Sequence, residues 1–427
     1  MILPHGWLYR LWSRWYRISP EQFDTVSFAG IVLYKILIFV FNLVPYLALV
    51  IVGRKYPIGC FAKDRRVPGP EESTMCLLTL LICVVAVDDP PKAWDPRAAA
   101  RALDERAAAW HDFKGADRGQ GPDKVSCVSC HTLGPYLLAR PSLRKTLGEP
   151  GPTAMEVKAL DQIRRRVDHW AELEQPRFGL YYDFDEDKKL QSRGTEAVWN
   201  ALILGRQGVG GEPDETTRRA FDHLWSTQVR EGPEAGTWAW LDFGLGPWEA
   251  GAGRYFGATL GALAAADAPS ASRPDERLDA LRAYLRTHRE AQDLHNHAWL
   301  LLASSRLDGL LTAAERGPIV DRLLAARHLD GGWSLGTLGS YKRGDGTPIP
   351  SAPDGYATGL ALLALRPAVG ADHPAVAGGV RWLRANQRAD GSWVGHSVNK
   401  ARKPETQVGR FMSDAATALA AMALADR

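Results

Sequence analysis

The stretch DGGWSLG at residues 330–336 recurs as DGSWVGH at residues 390–396. An apolar segment built of small residues follows each copy, YATGLALLAL from Tyr356 and AATALAAMAL from Ala415. A short repeat of this kind cannot bury its apolar face alone, so neighbouring repeats must pack together. Weaker copies of the apolar segment are GATLGALAA from Gly257 and GTEAVWNALIL from Gly194.

Apolar helices alternate with charged amphipathic helices along residues 91–427. Helices that are apolar all round must be buried, whereas charged helices must face water. Six pairs of this kind close naturally into an inner and an outer ring, so the sequence predicts an all-α fold, an (α/α)6 toroid of six helical hairpins. The inner helices are predicted to begin near His131, Arg193, Tyr255, His295, Asp354 and Ser413. The outer helices are predicted near residues 96–112, 153–173, 214–229, 274–290, 311–328 and 372–388.

The segment QRADGSW, Gln387 to Trp393, resembles the QW repeat of squalene-hopene cyclases and related terpenoid cyclases. A partial copy ends at Trp333, with Arg327 where the repeat has Gln. The resemblance covers about residues 95–427 and implies one toroid domain of the superfamily that includes protein prenyltransferase β-subunits. Hopene cyclases protonate their substrate with an Asp-x-Asp-Asp motif, which is absent from this sequence. The nearest string, DFDED at residues 183–187, is interpreted as solvated charge in a connector.

The sequence Cys127-Val-Ser-Cys130-His131 is the attachment signature of c-type haem. In such a site two thiols add to the vinyl groups of the porphyrin and the adjacent His binds the iron. The alternatives are a zinc site, which needs further Cys or His ligands, and a dithiol redox pair. Cys60, Cys76 and Cys83 are scattered, so the five cysteines do not form a disulfide framework.

Met412 is predicted to be the second axial ligand of the haem. It stands just before the sixth inner helix, in a register close to that of His131 before the first. The first and sixth helices are neighbours in a closed ring, so both ligands would reach one stretch of rim. The alternative is that Met412 fills a gap in the core.

Residues 1–90 are predicted to be a membrane anchor or signal region. Residues 28–53 are apolar apart from one Lys and are long enough to span a bilayer, and residues 76–87 are a shorter apolar run. An alternative is that translation starts near Met75. Either interpretation places the helical domain outside the cytoplasm, on the periplasmic or extracytoplasmic side, where haem c is attached.

The rim formed by the starts of the inner helices is predicted to collect the polar residues of a site. Candidate proton donors are Glu196, Asp354 and Asp414, and the two aspartates are equally good candidates for helix N-caps. Candidate substrate-binding residues are Arg193, Tyr255, His295, His297 and Tyr356. At least one of His295 and His297 is expected to be an ordinary surface residue.

The chain has 427 residues with 52 basic and 49 acidic side chains, a formal net charge of +3. No long basic arm stands out, which argues against nucleic acid as a partner. The leading hypothesis is an exported haem c protein with a redox role, acting on an apolar substrate or a redox partner protein. The alternatives are a cyclase-like enzyme without redox chemistry and a non-catalytic isoprenoid- or lipid-binding module.

Overall fold

The computed structural model describes residues 93–120, 124–128, 130–175, 177–179, 185–208 and 212–425. These residues belong to the unit Asp89–Arg427. The predicted membrane segments at residues 28–53 and 76–87 lie outside them. Within the described ranges, no helix combines the length and the apolar composition that a bilayer crossing requires.

The described residues form twelve α-helices, numbered α1 to α12 in chain order, and one two-stranded antiparallel sheet, β1 (Asp117–Arg118) and β2 (Val125–Ser126). Odd-numbered helices carry one buried face, and even-numbered helices are buried over most of their length. The odd helices are α1 (Pro96–His111), α3 (Ala154–Asp168), α5 (Glu215–Ser226), α7 (Asp275–Thr287), α9 (Ala313–Ala325) and α11 (Pro374–Asn386). The even helices are α2 (Leu133–Leu147), α4 (Glu186–Gln207), α6 (Gly253–Asp267), α8 (Leu294–Ser304), α10 (Gly355–Val369) and α12 (Gln407–Ala425).

Helix boundaries agree with the sequence within a few residues, with two exceptions. α4 begins at Glu186 rather than near Arg193, because the Asp185 carboxylate caps it by accepting from the Lys188 backbone N–H. α12 begins at Gln407, ahead of the predicted Ser413. In both helices a polar first turn precedes the apolar segment, and apolar periodicity does not detect such a turn.

The even helices pack against one another in chain order, and α12 packs against α2, so their contacts run in a closed cycle. Small residues allow the close approach of α10 and α12: a Cβ at Gly359 would lie 2.7 Å from the Leu419 backbone. Each odd helix packs outside this cycle against the even helices next to it. The apolar pattern therefore predicts correctly which helices are central.

The tryptophans of the two repeated loops join α9 to α10 and α11 to α12. The indole N–H groups of Trp333 and Trp393 donate to the carbonyls of Leu323 and Leu383, at the ends of α9 and α11. Their backbone N–H groups donate to the hydroxyls of Thr358 (2.9 Å) and Thr417 (3.1 Å), on α10 and α12 respectively. The repeat is thus a structural joint between two helices, and Trp238 makes the same indole contact with Leu224.

Gln387 of the QW-like segment closes the cycle at its seam. Its amide oxygen accepts from the Asp95 backbone N–H (2.7 Å), and its amide nitrogen donates to the Asp95 carbonyl (2.9 Å). Gly391 has φ +88°, and a Cβ there would lie 2.2 Å from the Ala98 backbone. Only glycine permits both this conformation and this contact, so the second repeat loop is fitted to the start of α1.

Candidate functional site

A cavity of about 530 Å³ opens where the connections before α2, α6 and α12 converge. Its size lies within the range of small-molecule sites, about 300–1,000 Å³. Aromatic side chains form much of its wall, including Trp110, Phe113, Trp199, Trp248 and Phe411. Below it, the space between the even helices is almost filled by Trp199, Trp248, Phe256, Trp299 and Tyr356, leaving a gap of only about 20 Å³. A ligand would therefore sit at the rim of the helical cycle.

Cys127 and Cys130 both line this cavity. The Cys127 backbone N–H donates to the Ala116 carbonyl (2.7 Å), and the Cys127 carbonyl accepts from the Trp110 indole (2.8 Å). These bonds fix the segment between β2 and α2. The two side chains do not form a disulfide with each other, and Cys127 is partly exposed whereas Cys130 is buried.

His131 also lines the cavity and is held by a chain of hydrogen bonds. Thr132 Oγ1 donates to the Asp414 carboxylate (2.8 Å) and so accepts from His131 Nδ1 (3.0 Å). Arg106 holds Asp414 through two bonds of 2.6 and 2.9 Å. Burial, aided by the charges of Arg402 and Arg106, lowers the pKa of His131 to about 3, so the ring is neutral. A neutral ring protonated at Nδ1 carries its lone pair at Nε2, the form that binds a metal.

Phe411 stacks on the His131 ring, with centroids 3.6 Å apart and planes inclined by 17°. Trp110 meets the same ring edge-on at 5.2 Å. Two aromatic rings therefore fix the plane of the imidazole while the Thr132 contact fixes its tautomer. Such outer contacts orient metal-binding histidines in known sites.

Met412 lies on the same cavity wall as Cys127, Cys130 and His131, although it belongs to the other end of the domain. It is buried, in the second turn of α12. Packing of α12 against α2 brings it to this place. The predicted neighbourhood of Met412 and the Cys-x-x-Cys-His segment is present in the structure.

Glu196 lines the cavity but is fully engaged by Arg166. The two side chains form a buried pair with bonds of 2.6 and 2.7 Å, and Arg166 also donates to the Phe178 carbonyl. A carboxylate bound at both oxygens by a guanidinium is poorly suited to donate a proton. The geometry makes Glu196 a structural anion at the cavity wall.

Asp354 and Asp414 have structural partners as well. The Asp354 carboxylate accepts from the backbone N–H groups of Leu335 (2.7 Å) and Ala357 (2.9 Å), which makes it the N-cap of α10. Burial raises its pKa to about 7 against these hydrogen bonds. Burial also raises the pKa of Asp414, opposed by Arg106. Neither residue lines the cavity.

Arg193 and Tyr255 lie away from the cavity wall. Arg193 pairs with Glu174 and donates to the Trp170 carbonyl. The buried hydroxyl of Tyr255 donates to the Leu285 carbonyl (2.8 Å), which ties α6 to α7. These contacts hold helices together, and the structure does not bring either residue to the cavity.

His295 and His297 are both buried, so the expectation that at least one is a surface histidine is wrong. The reason is that α8 lies in the inner cycle, and its whole first turn is covered. His297 Nε2 contacts the Arg289 carbonyl at 3.1 Å. This contact makes His297 a residue that stabilises the connection between α7 and α8.

Tyr356 lies at the centre of a buried hydrogen-bond network just below the cavity. Its oxygen accepts from the indoles of Trp248 (2.9 Å) and Trp299 (3.3 Å). An indole can only donate, so the phenol proton points to His295 Nε2, 2.8 Å away. His295 Nδ1 then donates to the Asn296 amide oxygen at 3.1 Å. The network fixes Trp248, which forms part of the cavity wall.

Glu249 is a cavity residue that the sequence does not mark. It follows Trp248 in the connection before α6, and its carboxyl interacts with the Cys130 thiol. Burial raises the pKa of Glu249 to about 7. Burial and the neighbouring Glu249 likewise raise the pKa of the Cys130 thiol. No motif surrounds Glu249, and only the folding of its connection over the rim reveals it.

The residues present fit a covalently attached haem. Two thiols, a neutral His and a thioether line one largely aromatic cavity, the donor set that c-type haem uses. Among the residues that the structure describes, no group of three or more His, Cys, Asp or Glu side chains is arranged to hold a metal ion. The described residues thus form a helical domain with a cavity at the rim of its helical cycle.

Two family models match separate parts of this chain. Residues 312–425 match the squalene-hopene cyclase C-terminal domain, so this part of the chain is similar to members of the terpenoid cyclase superfamily. Residues 1–53 match a family of unknown function (DUF6868). Among solved structures, the apo form of the type II terpene cyclase MstE from Scytonema aligns at 16% identity with a TM-score of 0.40, over 78% of this chain and 98% of that one. No curated protein sequence matches this chain.

Proposed function

We propose that this chain is a haem c protein with a redox role, in which an α/α toroid of six hairpins presents the cofactor at its rim. One observation carries the proposal. Cys127, Cys130, His131 and Met412, which come from the two ends of the domain, line a single cavity.

Each residue has a distinct part in this proposal. Cys127 and Cys130 would hold the haem through thioether bonds, and His131 and Met412 would bind its iron. When bound, haem c exchanges one electron at a potential set by its ligands and surroundings. The Thr132–Asp414 hydrogen-bond chain keeps His131 in one tautomer, and the aromatic wall limits access of water to the site.

We further propose that residues 1–90 anchor or export the domain, which then works on the periplasmic or extracytoplasmic side. That location suits the attachment of haem c. The partner is a redox protein at the open side of the cavity or an apolar molecule bound within it. The remaining hypothesis of a non-catalytic isoprenoid- or lipid-binding module uses the same cavity without a cofactor.

The decisive experiment is to purify the full chain after production with a haem c maturation system. We expect a Soret band and a haem stain that persists on a denaturing gel, since thioether bonds survive unfolding. A colourless protein would overturn the proposal.

Met412→Ala should leave the haem attached but shift its absorption spectrum and lower its reduction potential. The reason is that a Met axial ligand raises the potential, and its loss leaves His131 as the one protein ligand. Redox titration followed at the Soret band measures both effects.

Met422→Ala is the matched control for this variant, because Met422 lies on the same helix but faces the gap at the centre of the helical cycle. It should change stability without altering the spectrum. Unchanged spectra and potentials in both variants would show that Met412 is a packing residue only.

A second candidate function is protonation of an apolar alkene, as in a cyclase-like enzyme without redox chemistry. Glu249 favours it: a carboxyl with its pKa raised to about 7 lies on the wall of an aromatic cavity. Such an acid keeps its proton near neutrality and can transfer it to a substrate. The aromatic wall would stabilise the cation formed.

If this function holds, Glu249→Gln should abolish product formation from a linear isoprenoid. Activity of the unaltered protein should fall as pH rises through about 7, because the proton donor is then ionised. Product analysis by gas chromatography measures both. Glu231→Gln, at an exposed loop position, is the control and should retain activity. A colourless protein with no turnover of isoprenoids would remove both candidates and leave the binding module.

A further inference from the structure

Arg402 is a cation on the cavity wall that lacks a counter-charge. Three arginines line the cavity: Arg166 is neutralised by Glu196, and Arg118 donates to the carbonyls of Gly115 and Asp117. Within the described ranges of the chain, Arg402 makes no ion pair or hydrogen bond. Burial is the only influence on its guanidinium, and it lowers the pKa of Arg402.

Three contacts fix the backbone segment that leads to Arg402. The Ser397 carbonyl accepts from Arg343 at 2.6 Å, and the Asn399 amide donates to the Gly246 carbonyl at 2.8 Å. The Ala401 backbone N–H donates to the Asp345 carboxylate at 2.6 Å. The backbone next to Arg402 is therefore held beside the cavity by a segment tied to two other connections.

A partly buried guanidinium without a partner loses hydration and gains nothing in return. An anionic ligand group would replace the lost hydration with two parallel N–H···O bonds, the geometry in which Arg binds a carboxylate. The acidic side chains of the cavity do not pair with Arg402, because Glu196 is bound to Arg166 and Glu249 contacts Cys130.

We propose that Arg402 binds the carboxylate of an otherwise apolar ligand in this cavity. One source of that carboxylate is a haem propionate, and only this assignment rests on the proposed haem site. The other source is the carboxylate of a fatty-acid-like molecule that occupies the cavity itself.

The experiment uses the full chain produced without haem c maturation. Haem and its dimethyl ester are titrated into it and followed at the Soret band. Dodecanoate and dodecanol are titrated separately and followed by the fluorescence of the cavity tryptophans. The variants are Arg402→Ala, Arg402→Lys and Lys403→Ala, the last being an exposed neighbour of equal charge. Circular dichroism establishes that each variant is folded.

For the unaltered chain we expect the carboxylate form of at least one pair to bind about tenfold or more tightly than the neutral form, the effect of one charged hydrogen-bond pair. Arg402→Ala should reduce that ratio to about one, Arg402→Lys should retain part of it, and Lys403→Ala should not change it. If the affinity ratio of haem to its dimethyl ester depends on Arg402, the bound carboxylate is a haem propionate. If only the affinity ratio of dodecanoate to dodecanol depends on Arg402, the site binds a separate carboxylate ligand.

The failure of this inference is distinguishable from the failure of the haem site. If haem binds but neither ratio responds to Arg402→Ala, the carboxylate site is overturned while the haem proposal stands. If haem does not bind and the Soret band is absent after maturation, the haem proposal falls. The dodecanoate pair then decides the carboxylate site by itself.

Discussion

We expect Cys127→Ala and Cys130→Ala each to abolish the haem stain that persists on a denaturing gel, and this is the largest effect we expect. Cys130 is buried at the cavity wall against Glu249 and Trp199, so its thioether would be the shielded bond of the two. Cys127 is partly exposed. The measurement is in-gel peroxidase staining together with the mass of the intact protein, which reports attached haem directly.

Val128→Ala is the control, because it alters the same loop without touching the signature residues, and it should stain as the unaltered chain does. His131→Ala adds a second test, since it should keep the thioethers while changing the iron spectrum. Haem that stays on the protein after denaturation in the absence of both cysteines would contradict covalent attachment at this site.

Arg166→Ala is expected to lower the free energy of unfolding by about 3–5 kcal/mol, the usual cost of leaving one member of a buried ion pair without its partner. Glu196 would remain among apolar side chains with both former hydrogen bonds lost. Denaturant titration followed by tryptophan fluorescence or circular dichroism measures the change.

Arg164→Ala is the matched control, two residues earlier on the same helix. Its pair with Asp214 is substantially exposed, so the change should be at most about 1 kcal/mol. The double variant Arg166→Met, Glu196→Leu should recover most of the stability, because no buried charge is then left unpaired. Equal losses in Arg166→Ala and Arg164→Ala would show that the Arg166–Glu196 pair is not the buried element we describe.

The position of the helices could be predicted because their signals are local. Apolar runs of Ala, Gly and Leu mark α10 and α12, and charged runs mark the helices that pack outside them. The number of hairpins could be predicted from helix caps and helix-breaking residues, which are local signals as well. The start of α4 was missed because the polar turn after Asp185 belongs to the helix but lacks apolar periodicity.

The sequence by itself determined which residues carry the haem signature, that Met412 would lie near it, and that the domain is helical. The motif consists of neighbouring residues, and the position of Met412 follows from the closure of the repeat into a ring. Tertiary structure alone decided what the polar candidates do. Glu196, Asp354 and Asp414 could each have been a free acid by sequence, and each is bound by a partner.

Arg166 and Arg106 lie on other helices than the acids they bind, and Glu249 and Arg402 lie on two separate connections, so these groups meet only when the helical cycle closes. Burial and pairing of a charge are properties of the space around it, and no local pattern encodes that space.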